Sequence, residues 1–418
     1  MKSRIKLVVL VVAAVCLLIL PLLSACAAPA VSPGQEKVFK VGSIMDLSGP
    51  ISCCGITGLN AIKAYFNYLN DDKVVPGWKF EVISWDTRYD AARAAPGYRY
   101  CMDKGANLIQ TAYAQDTEAA KPMGLADKVL TFGYNTTAVT TGLPSWSFTQ
   151  VPLVEDVNAS FFNWVIQNWD YKKAGRKPIV AQISWDNSMG QAGAKGAETF
   201  CKSKPDKLDW AGNIVLPPGT MDITQPAAEF DRKKVDYVFS TMVSSPTVAL
   251  IKLIDTNKYT YKVGMGDWAF VCFKSMKDRG GPALAGHYWI TSHGWHTDDS
   301  KGIKFMKEIL NRYYSPAELA AAGQLEDPCG HIAFLLAMEI KTVVANTLKA
   351  GGNPYNGDDM YKQTIKLELD SQGIMGPLKY TETKRWGIDK MLIYQLKLVD
   401  GKPEPVRITD WFDMTPHK

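Results

Sequence analysis

Residues 38–70 read VFKVGSIMDLSGPISCCGITGLNAIKAYFNYLN, and this stretch decides the fold. Its first eight residues carry one charge among mostly apolar side chains, which is typical of a strand buried on both faces of a parallel sheet. Residues 46–50 supply turn chemistry, and apolar side chains then recur at helical spacing, at Leu59, Ile62, Tyr65, Phe66 and Leu69. The pattern predicts a strand, a glycine-containing loop and a helix. In an open α/β sheet such a loop lies at the carboxyl end of its strand, where ligands bind.

Residues 1–25 have the features of a secretory signal peptide. Lys2, Arg4 and Lys6 precede an apolar run at residues 7–20, and small residues lead to Cys26. The ending Leu-Ser-Ala-Cys resembles the bacterial lipobox, which implies cleavage before Cys26 and a diacylglycerol on its sulfur. An uncleaved anchor helix is the alternative, although the run is shorter than the roughly 20 residues that a membrane span needs.

Length and charge limit the remaining possibilities. With 25 of the 418 residues removed as a leader, 393 remain, enough for two domains at about 100–200 residues each. The leader holds three basic residues and no acidic one, so the formal charge falls from +5 to +2. This charge is too weak to indicate nucleic-acid binding. No later apolar run looks long enough to cross a bilayer, so we expect a soluble body on a tether formed by residues 26–37.

Six cysteines lie beyond the lipobox, and their spacing does not suggest a metal site. Outside the cytoplasm an even number permits disulfides, but the sequence cannot choose among the possible pairings. The adjacent pair in the first loop could form a vicinal disulfide, two ordinary thiols or two separate bridges. The six are Cys53, Cys54, Cys101, Cys201, Cys272 and Cys329.

Strands and helices alternate through the first 150 residues. Strand patterns at residues 78–85, 107–111 and 129–133 alternate with helical patterns at residues 91–104 and from about residue 118. Residues 112–117 lie between them as a loop, and residues 148–151 resemble a short crossover. This alternation predicts a doubly wound α/β sheet.

A second unit of the same design follows. Strand patterns at residues 178–184, 214–216, 235–241 and 261–265 alternate with helices at residues 161–169, 192–201 and 248–255. Residues 329–350 predict a further amphipathic helix, whose apolar side chains we assign to a core. Two tandem α/β units predict two lobes with a ligand cleft between them.

These features together resemble the type I periplasmic binding proteins. The resemblance rests on Val41-Gly42, on Leu47-Ser48-Gly49-Pro50, on the paired α/β units, on residues 375–378 (MGPL) and on the lipobox. It implies the leucine/isoleucine/valine-binding branch, whose members are substrate-binding lipoproteins of ABC transporters. It also implies three hinge crossovers near residues 148–152, 289–292 and 376–380, with lobe I at residues 38–150 and 290–375 and lobe II at residues 151–289 and 376–418.

The resemblance also implies which residues meet the ligand. In this family, hydroxyls and backbone N–H groups at helix starts hold an α-carboxylate, and an acid after a lobe II strand holds the α-ammonium. Asp267 matches the acid, although it could instead cap a helix beginning near Ala269. Asp116 departs from the pattern, because its charge would repel a carboxylate unless it caps its own helix. The predicted ligand-binding residues are Tyr113, Ala114, Gln115, Asn135, Thr136, Thr137, Trp185, Met189, Ser244, Asp267 and Trp268.

Catalytic motifs do not compete with this interpretation. The sequence has no Gly-x-Ser-x-Gly, no phosphate-binding loop and no His-Glu-x-x-His. His287, His293 and His296 cluster, but no clear helix carries them as a metal pair, and we expect surface histidines near a hinge. We therefore expect no enzyme, no cofactor and no metal.

Two classes of function remain open. The first is a monomeric binding protein that delivers a solute to an ABC permease and its ATPase. The second is an enzyme or a ligand sensor on the same two-lobed body, since a fold does not determine a function. Within transport, amino acids come first, and amides, urea or aromatic carboxylates are the alternatives, since Tyr113, Tyr134, Trp185 and Trp268 could stack on a planar ligand.

Overall fold

The computed structural model describes residues 36–134 and 137–418. The predicted signal peptide at residues 1–25, the predicted lipidation site Cys26 and nearly all of the predicted tether lie outside the described residues, as do Asn135 and Thr136. The strands are β1 Lys37–Met45, β2 Trp78–Asp86, β3 Leu108–Thr111, β4 Thr131–Gly133, β5 Ser147–Thr149, β6 Ile179–Trp185, β7 Asp209–Leu216, β8 Tyr237–Thr241, β9 Lys262–Met265, β10 Tyr288–Thr291, β11 Glu368–Leu369, β12 Leu378–Lys379, β13 Lys390–Val399, β14 Lys402–Arg407 and β15 Phe412–Asp413. The helices are α1 Ser52–Asp71, α2 Ala94–Asp103, α3 Ala114–Asp127, α4 Ala138–Thr141, α5 Val154–Asn168, α6 Tyr171–Ala174, α7 Ser188–Lys202, α8 Thr224–Arg232, α9 Ser244–Asn257, α10 Asp267–Phe270, α11 Phe273–Gly280, α12 Lys301–Tyr313, α13 Pro316–Ala322, α14 Pro328–Lys349 and α15 Gly357–Thr364.

Two sheets confirm the predicted α/β class and its two lobes. The lobe I sheet has the order β2-β1-β3-β4-β5, and β3 pairs in parallel with both β1 and β4. The lobe II sheet has the order β14-β13-β10-β9-β8-β6-β7, in which β6 to β10 are parallel and β13 and β14 antiparallel. Each lobe is thus a doubly wound unit, whose parallel strands end toward the same edge.

The opening stretch folds as predicted. The last five residues of β1 are buried, and the Asp46 carboxylate at its end accepts hydrogen bonds from the backbone N–H groups of Ser48 and Ile51, at 3.2 and 3.0 Å. This carboxylate shapes the turn that leads into α1. All five apolar positions predicted for the helix are buried: Leu59, Ile62, Tyr65, Phe66 and Leu69. They pack against α14 in the lobe I core.

Helix α14 is the predicted helix at residues 329–350. Its Phe334, Leu335 and Val343 are fully buried and Met338 is partly buried, which confirms their assignment to a core. The expectation that no run after the leader is long enough to cross a membrane is wrong by length, because α14 has the length and hydropathy of a span. Of that apolar window, 78% is buried inside the protein, so the helix is a core element of lobe I.

The chain segment before β13 packs with lobe I. Leu378, Tyr380 and Ile388 belong to the lobe I core, whereas Met391 and the residues after it pack in the lobe II core. The resemblance placed residues 376–388 in lobe II. Thr149 forms an isolated bridge with Trp386, so this return segment lies beside the first crossover.

Four of the six cysteines form two disulfides, and the vicinal alternative is wrong. Cys54 pairs with Cys329, joining α1 to α14 within lobe I. Cys53 pairs with Cys272, which precedes α11 of lobe II. The two adjacent side chains point to different partners, so a strained ring between neighbours is not needed. Cys101 and Cys201 are free and buried.

Candidate functional site

A cavity of about 640 Å³ lies between the lobes. Lobe I contributes the loops after β1 and β2 and the start of α3, and lobe II contributes the segments after β6, β7 and β8. The carboxyl ends of parallel strands from both lobes therefore converge on one space, as the sequence pattern predicted. The lining residues are Pro50, Ile51, Tyr89, Asp90, Ala91, Gln115, Trp185, Asn187, Ser188, Pro218, Gly219, Met221, Val243, Ser245 and Pro246.

The cavity wall is mostly apolar and contains one formal charge. Tyr89 and Trp185 offer aromatic surface, and Asp90 is the single charged side chain among the described lining residues. A wall of this kind favours a ligand with an apolar body and a few polar groups that fix its orientation.

The predicted lobe I residues lie at or behind this wall. Gln115 lines the cavity, and Tyr113 packs edge-on against Tyr89, with ring centroids 5.0 Å apart. Ala114 begins α3 and is buried. Thr137 caps α4, because its hydroxyl accepts from the Thr140 N–H at 3.2 Å and its own N–H donates to the Thr140 hydroxyl at 2.9 Å.

Asp116 is a buried carboxyl behind the cavity wall. It lies in the first turn of α3, and neither of its oxygens has a hydrogen-bond partner among the described residues. It does not cap its helix, whose N-cap residue is Tyr113. Burial raises the pKa of Asp116 to about 8, and the neighbouring carboxylates of Asp46 and Asp90 add to the shift. At neutral pH the side chain is therefore mainly uncharged and does not repel a carboxylate.

The predicted lobe II residues divide between two spaces. Trp185 lines the large cavity, and Ser244 begins α9 between two residues that also line it. Met189, Asp267 and Trp268 line a narrow space beside the crossover residues Val151 and Pro152. The structure thus brings the predicted residues to one cleft but not to one pocket.

Asp267 is held by two aromatic side chains. Its Oδ1 accepts a hydrogen bond from Trp289 Nε1 at 3.0 Å and lies 3.4 Å from His293 Nε2. The capping alternative is wrong, because the short helix α10 starts at Asp267 itself and its cap residue, Gly266, makes no side-chain cap.

The three clustered histidines are buried or partly buried, so the expectation of surface histidines is wrong. His287 accepts from the Val263 N–H at 2.9 Å, and burial lowers its pKa to about 3. His293 stacks on His331, which the sequence analysis did not group with it, at 5.2 Å between ring centroids. Burial also lowers the pKa of His296 to about 4.

Metal-ligand atoms converge at only one place in the described part of the chain. There the sulfurs of both disulfides surround the carboxylate of Asp327. Bonded sulfurs are not thiolate ligands, so this group does not form a metal centre in the oxidised protein.

The cavity residues after β2 and β7 are not among those predicted from the sequence. Tyr89 adopts a positive φ of 59°, in the loop that follows the β2 strand, and Asp90 caps the turn after it. Pro218, Gly219 and Met221 follow β7 in the same way. The rule that ligands bind at the carboxyl ends of strands would have found both loops. Neither loop contains a known ligand-binding sequence motif.

A family model described as "Periplasmic binding protein" matches residues 38–402, and so covers most of the chain. The chain belongs to this family. The resemblance predicted from the sequence, and the type I periplasmic binding protein fold with it, are confirmed. No curated protein matches the chain.

Solved periplasmic binding proteins share the fold at low identity. A branched-chain amino acid ABC transporter protein from Thermus thermophilus with bound valine is 16% identical, with a TM-score of 0.77 over 91% of this chain and 97% of that one. A fatty acid ABC transporter substrate-binding protein from Thermomonospora curvata is also 16% identical, with a TM-score of 0.77 over 92% and 95%. A solute-binding protein from Rhodopseudomonas palustris BisB5 in complex with 3,4-dihydroxybenzoic acid is 18% identical, with a TM-score of 0.75 over 91% and 98%. At these identities the likeness establishes the fold.

Proposed function

We propose that this chain is the solute-binding lipoprotein of an ABC importer and that it captures a small polar ligand, most favourably an amino acid, between two closing lobes. The observation that carries the proposal is the cavity of about 640 Å³ to which both lobes contribute. A ligand that contacts both walls stabilises the closed arrangement, because it gains contacts there that an open cleft cannot offer.

Two features support an amino acid as the ligand. Helices α3, α7 and α9 begin at the cleft, and the N–H groups of their first turns and their dipoles favour a carboxylate. Asp267, Asp90 and the aromatic surfaces beside them favour an ammonium group. The valine complex from Thermus thermophilus shares the fold and is consistent with this choice.

A ligand with an aromatic body is the second candidate. It is favoured by the apolar wall that contains Trp185 and Tyr89. The structure with 3,4-dihydroxybenzoic acid has the same fold. A planar ring could stack on either side chain, and the cavity is large enough for a ligand of this size.

The proposal includes the location and the partners. Membership of the periplasmic binding protein family implies an extracytoplasmic location, and the lipobox ending at Cys26 supports anchoring to the bacterial cell membrane by a lipid. We infer a monomer that delivers its ligand to a permease and an ATPase subunit.

A thermal-unfolding screen tests the ligand. The panel contains valine, leucine, other amino acids, urea, short amides and hydroxybenzoates. A ligand at about 100 times its Kd stabilises the native state by about 2.7 kcal/mol, which raises Tm measurably. Solution scattering on the best ligand should then give a smaller radius of gyration. No Tm shift across the whole panel would contradict the proposed ligand classes, and an unchanged radius at saturation would contradict closure.

A further inference from the structure

Two direct contacts between the lobes flank the large cavity, and one of them is covalent. Pro50 and Ile51, which line the cavity, immediately precede the segment of α1 that contains Cys53, and Cys53 is bonded to Cys272 of lobe II. Asn187 and Ser188 line the cavity at the start of α7, and Ser188 is hydrogen-bonded to Glu118 of lobe I.

The two contacts use equivalent elements. Helix α1 follows the first strand of the lobe I sheet, and α7 follows the first strand of the lobe II sheet. In each lobe the start of this helix reaches across to the other lobe. We call the first contact the disulfide edge and the second the Glu118 edge.

The disulfide edge is reinforced by three further contacts. The Cys272 N–H donates to Asp327 Oδ2 at 2.8 Å, and the Asp327 carboxylate is fully buried in lobe I. Lys277 of α11 forms an ion pair with Glu326 of lobe I at 2.8 Å, and its side chain is only 15% exposed. Val271 packs into the lobe I core. The segment before α11 is therefore bound to lobe I although the helix itself belongs to lobe II.

Among the described residues, hydrogen bonds and packing of α3 against α7 hold the Glu118 edge, and neither disulfide crosses it. The Ser188 hydroxyl donates to the Glu118 carboxylate, and the Ala138 N–H donates to the Glu155 carboxylate of lobe II at 3.1 Å. Such contacts exchange with water at little net cost when a cleft opens. A disulfide persists in an oxidising compartment, and its uncatalysed rearrangement is far slower than the opening of a cleft.

We propose that the Cys53–Cys272 disulfide fixes one edge of the cleft, so that the lobes separate at the Glu118 edge and the ligand enters and leaves there. The inference rests on the proposed function, because it describes access to the same cavity. It makes Glu118 and Ser188 a gate and Cys272 a fixed point of the lobe motion.

Residue-resolved amide hydrogen exchange of the oxidised, ligand-free protein tests this asymmetry. The Ala138 and Cys272 amides each donate across the lobes, one at each edge. We expect the protection factor of Cys272 to exceed that of Ala138 by at least about tenfold, because local opening governs exchange. Equal protection factors would overturn the proposal, and this comparison needs no variant.

The chain supplies a matched pair of variants. The double variant with Cys53→Ser and Cys272→Ser removes the bond between the lobes. It should lower the protection factor of the backbone amide at position 272 at least about tenfold. Cys54→Ser with Cys329→Ser removes the second disulfide from the same helix, but that bond lies within lobe I and its loss should leave the ratio of the two protection factors unchanged. An unchanged protection factor for the amide at position 272 in the first variant, with the fold verified by circular dichroism, would also overturn the proposal.

A final measurement separates this inference from the proposed function. Valine is added to the wild-type protein at saturation, and exchange is followed at both amides. We expect Ala138 to become more protected while Cys272 changes little. Failure of valine and the rest of the panel to bind would contradict the proposed ligands but would leave the ligand-free asymmetry intact. Ligand-induced protection confined to Cys272 would contradict the gate.

Discussion

At the scale of single residues, the cleft is defined by carboxyl groups whose surroundings differ. Asp267 accepts from the Trp289 indole and lies close to His293, Asp90 is at the cavity wall, and Asp116 is buried without a hydrogen-bond partner among the described residues. A buried carboxylate without partners is costly, and protonation or a bound cation removes that cost. Each acid therefore has a distinct expected response to mutation.

Replacement of Asp267 tests the ammonium contact. In Asp267→Asn the side-chain oxygen can still accept from Trp289, so Tm should change little. The charge is lost, and affinity for the best-bound amino acid should fall at least about tenfold, or about 1.4 kcal/mol. Calorimetric titration measures the loss, and the same titration of Asp90→Asn shows whether the acid at the wall of the large cavity holds the ammonium instead. Wild-type affinity in Asp267→Asn would eliminate the ammonium role and favour an amide or aromatic ligand.

Replacement of Asp116 tests its raised pKa. Because the folded-state pKa is about 8 and the unfolded value is about 3.9, the native state retains a proton that the unfolded state has lost between these pH values. The contribution of this group to stability therefore decreases as pH rises from about 4 to 8. Asp116→Asn should lose less stability than the wild type between pH 5 and pH 9, by at least about 1.4 kcal/mol, the equivalent of one pKa unit.

Urea unfolding at pH 5, 7 and 9 measures this difference. Glu339 is a matched case, because burial raises its pKa to about 8 while Gln150 donates to it at 2.8 Å. Glu339→Gln should therefore change the pH dependence in the same direction. Parallel stability curves for the wild type and Asp116→Asn would show that the Asp116 carboxyl titrates normally.

At the scale of secondary-structure elements, helices extend further toward their N-termini than apolar periodicity indicates. The sequence placed helix starts near residues 118, 161, 192 and 248, whereas the structure has Ala114, Val154, Ser188 and Ser244. First turns at a cleft contain polar and small residues, because their N–H groups face solvent or ligand. The predicted ligand-binding residues Gln115, Met189 and Ser244 therefore lie in first helical turns that the sequence pattern placed in loops.

Two glycines of helix α1 test how closely this helix approaches the turn after β1. A Cβ atom on Gly55 would lie 1.7 Å from the Asp46 carbonyl oxygen, whereas one on Gly58 would have its nearest neighbour at 3.1 Å. Gly55→Ala should therefore destabilise the protein by about 1–3 kcal/mol, because backbone must move. Gly58→Ala should cost less, because its nearest neighbour is the side-chain hydroxyl of Tyr134 rather than backbone. Equal stability of the two variants in urea unfolding would contradict the close approach of α1 to the β1 turn.

At the scale of the whole molecule, two lobes are joined by crossover segments and one disulfide. The α14 helix and the return segment at residues 378–388 complete lobe I from the C-terminal half of the chain. Long-range contacts of this kind make each lobe a composite of distant segments. The proposed function involves two properties at this scale, motion between the lobes and attachment of the whole body to a membrane.

Removal of the predicted lipidation site tests the proposed attachment to the membrane. Cys26→Ala should move the protein from the membrane fraction to the soluble extracytoplasmic fraction, because lipidation needs this sulfur. Tm of the folded body should not change, because β1 begins only at Lys37. Cell fractionation with immunoblotting measures the redistribution, and Cys16→Ala, within the leader, is the control. Membrane retention of Cys26→Ala would favour an uncleaved anchor helix.

The sequence alone determined the fold class, the repetition of α/β units and the general place of the cleft, because hydrophobic periodicity and turn chemistry are local properties. Among the ligand-binding residues predicted from the sequence, Gln115 and Trp185 line the cavity. These predictions needed only residues close in the chain or a resemblance between whole patterns.

Tertiary structure alone decided the pairing of the cysteines, the burial of the histidines and the partners of Asp267. Cys53 and Cys272 are separated by 219 positions in the sequence, and no local pattern distinguishes their pairing from any other. His293 meets His331, and Asp267 meets Trp289, through packing of segments that the chain brings together only after folding. Local periodicity specifies elements, whereas contacts between distant segments depend on how those elements pack, and these contacts determine which residues form the cleft.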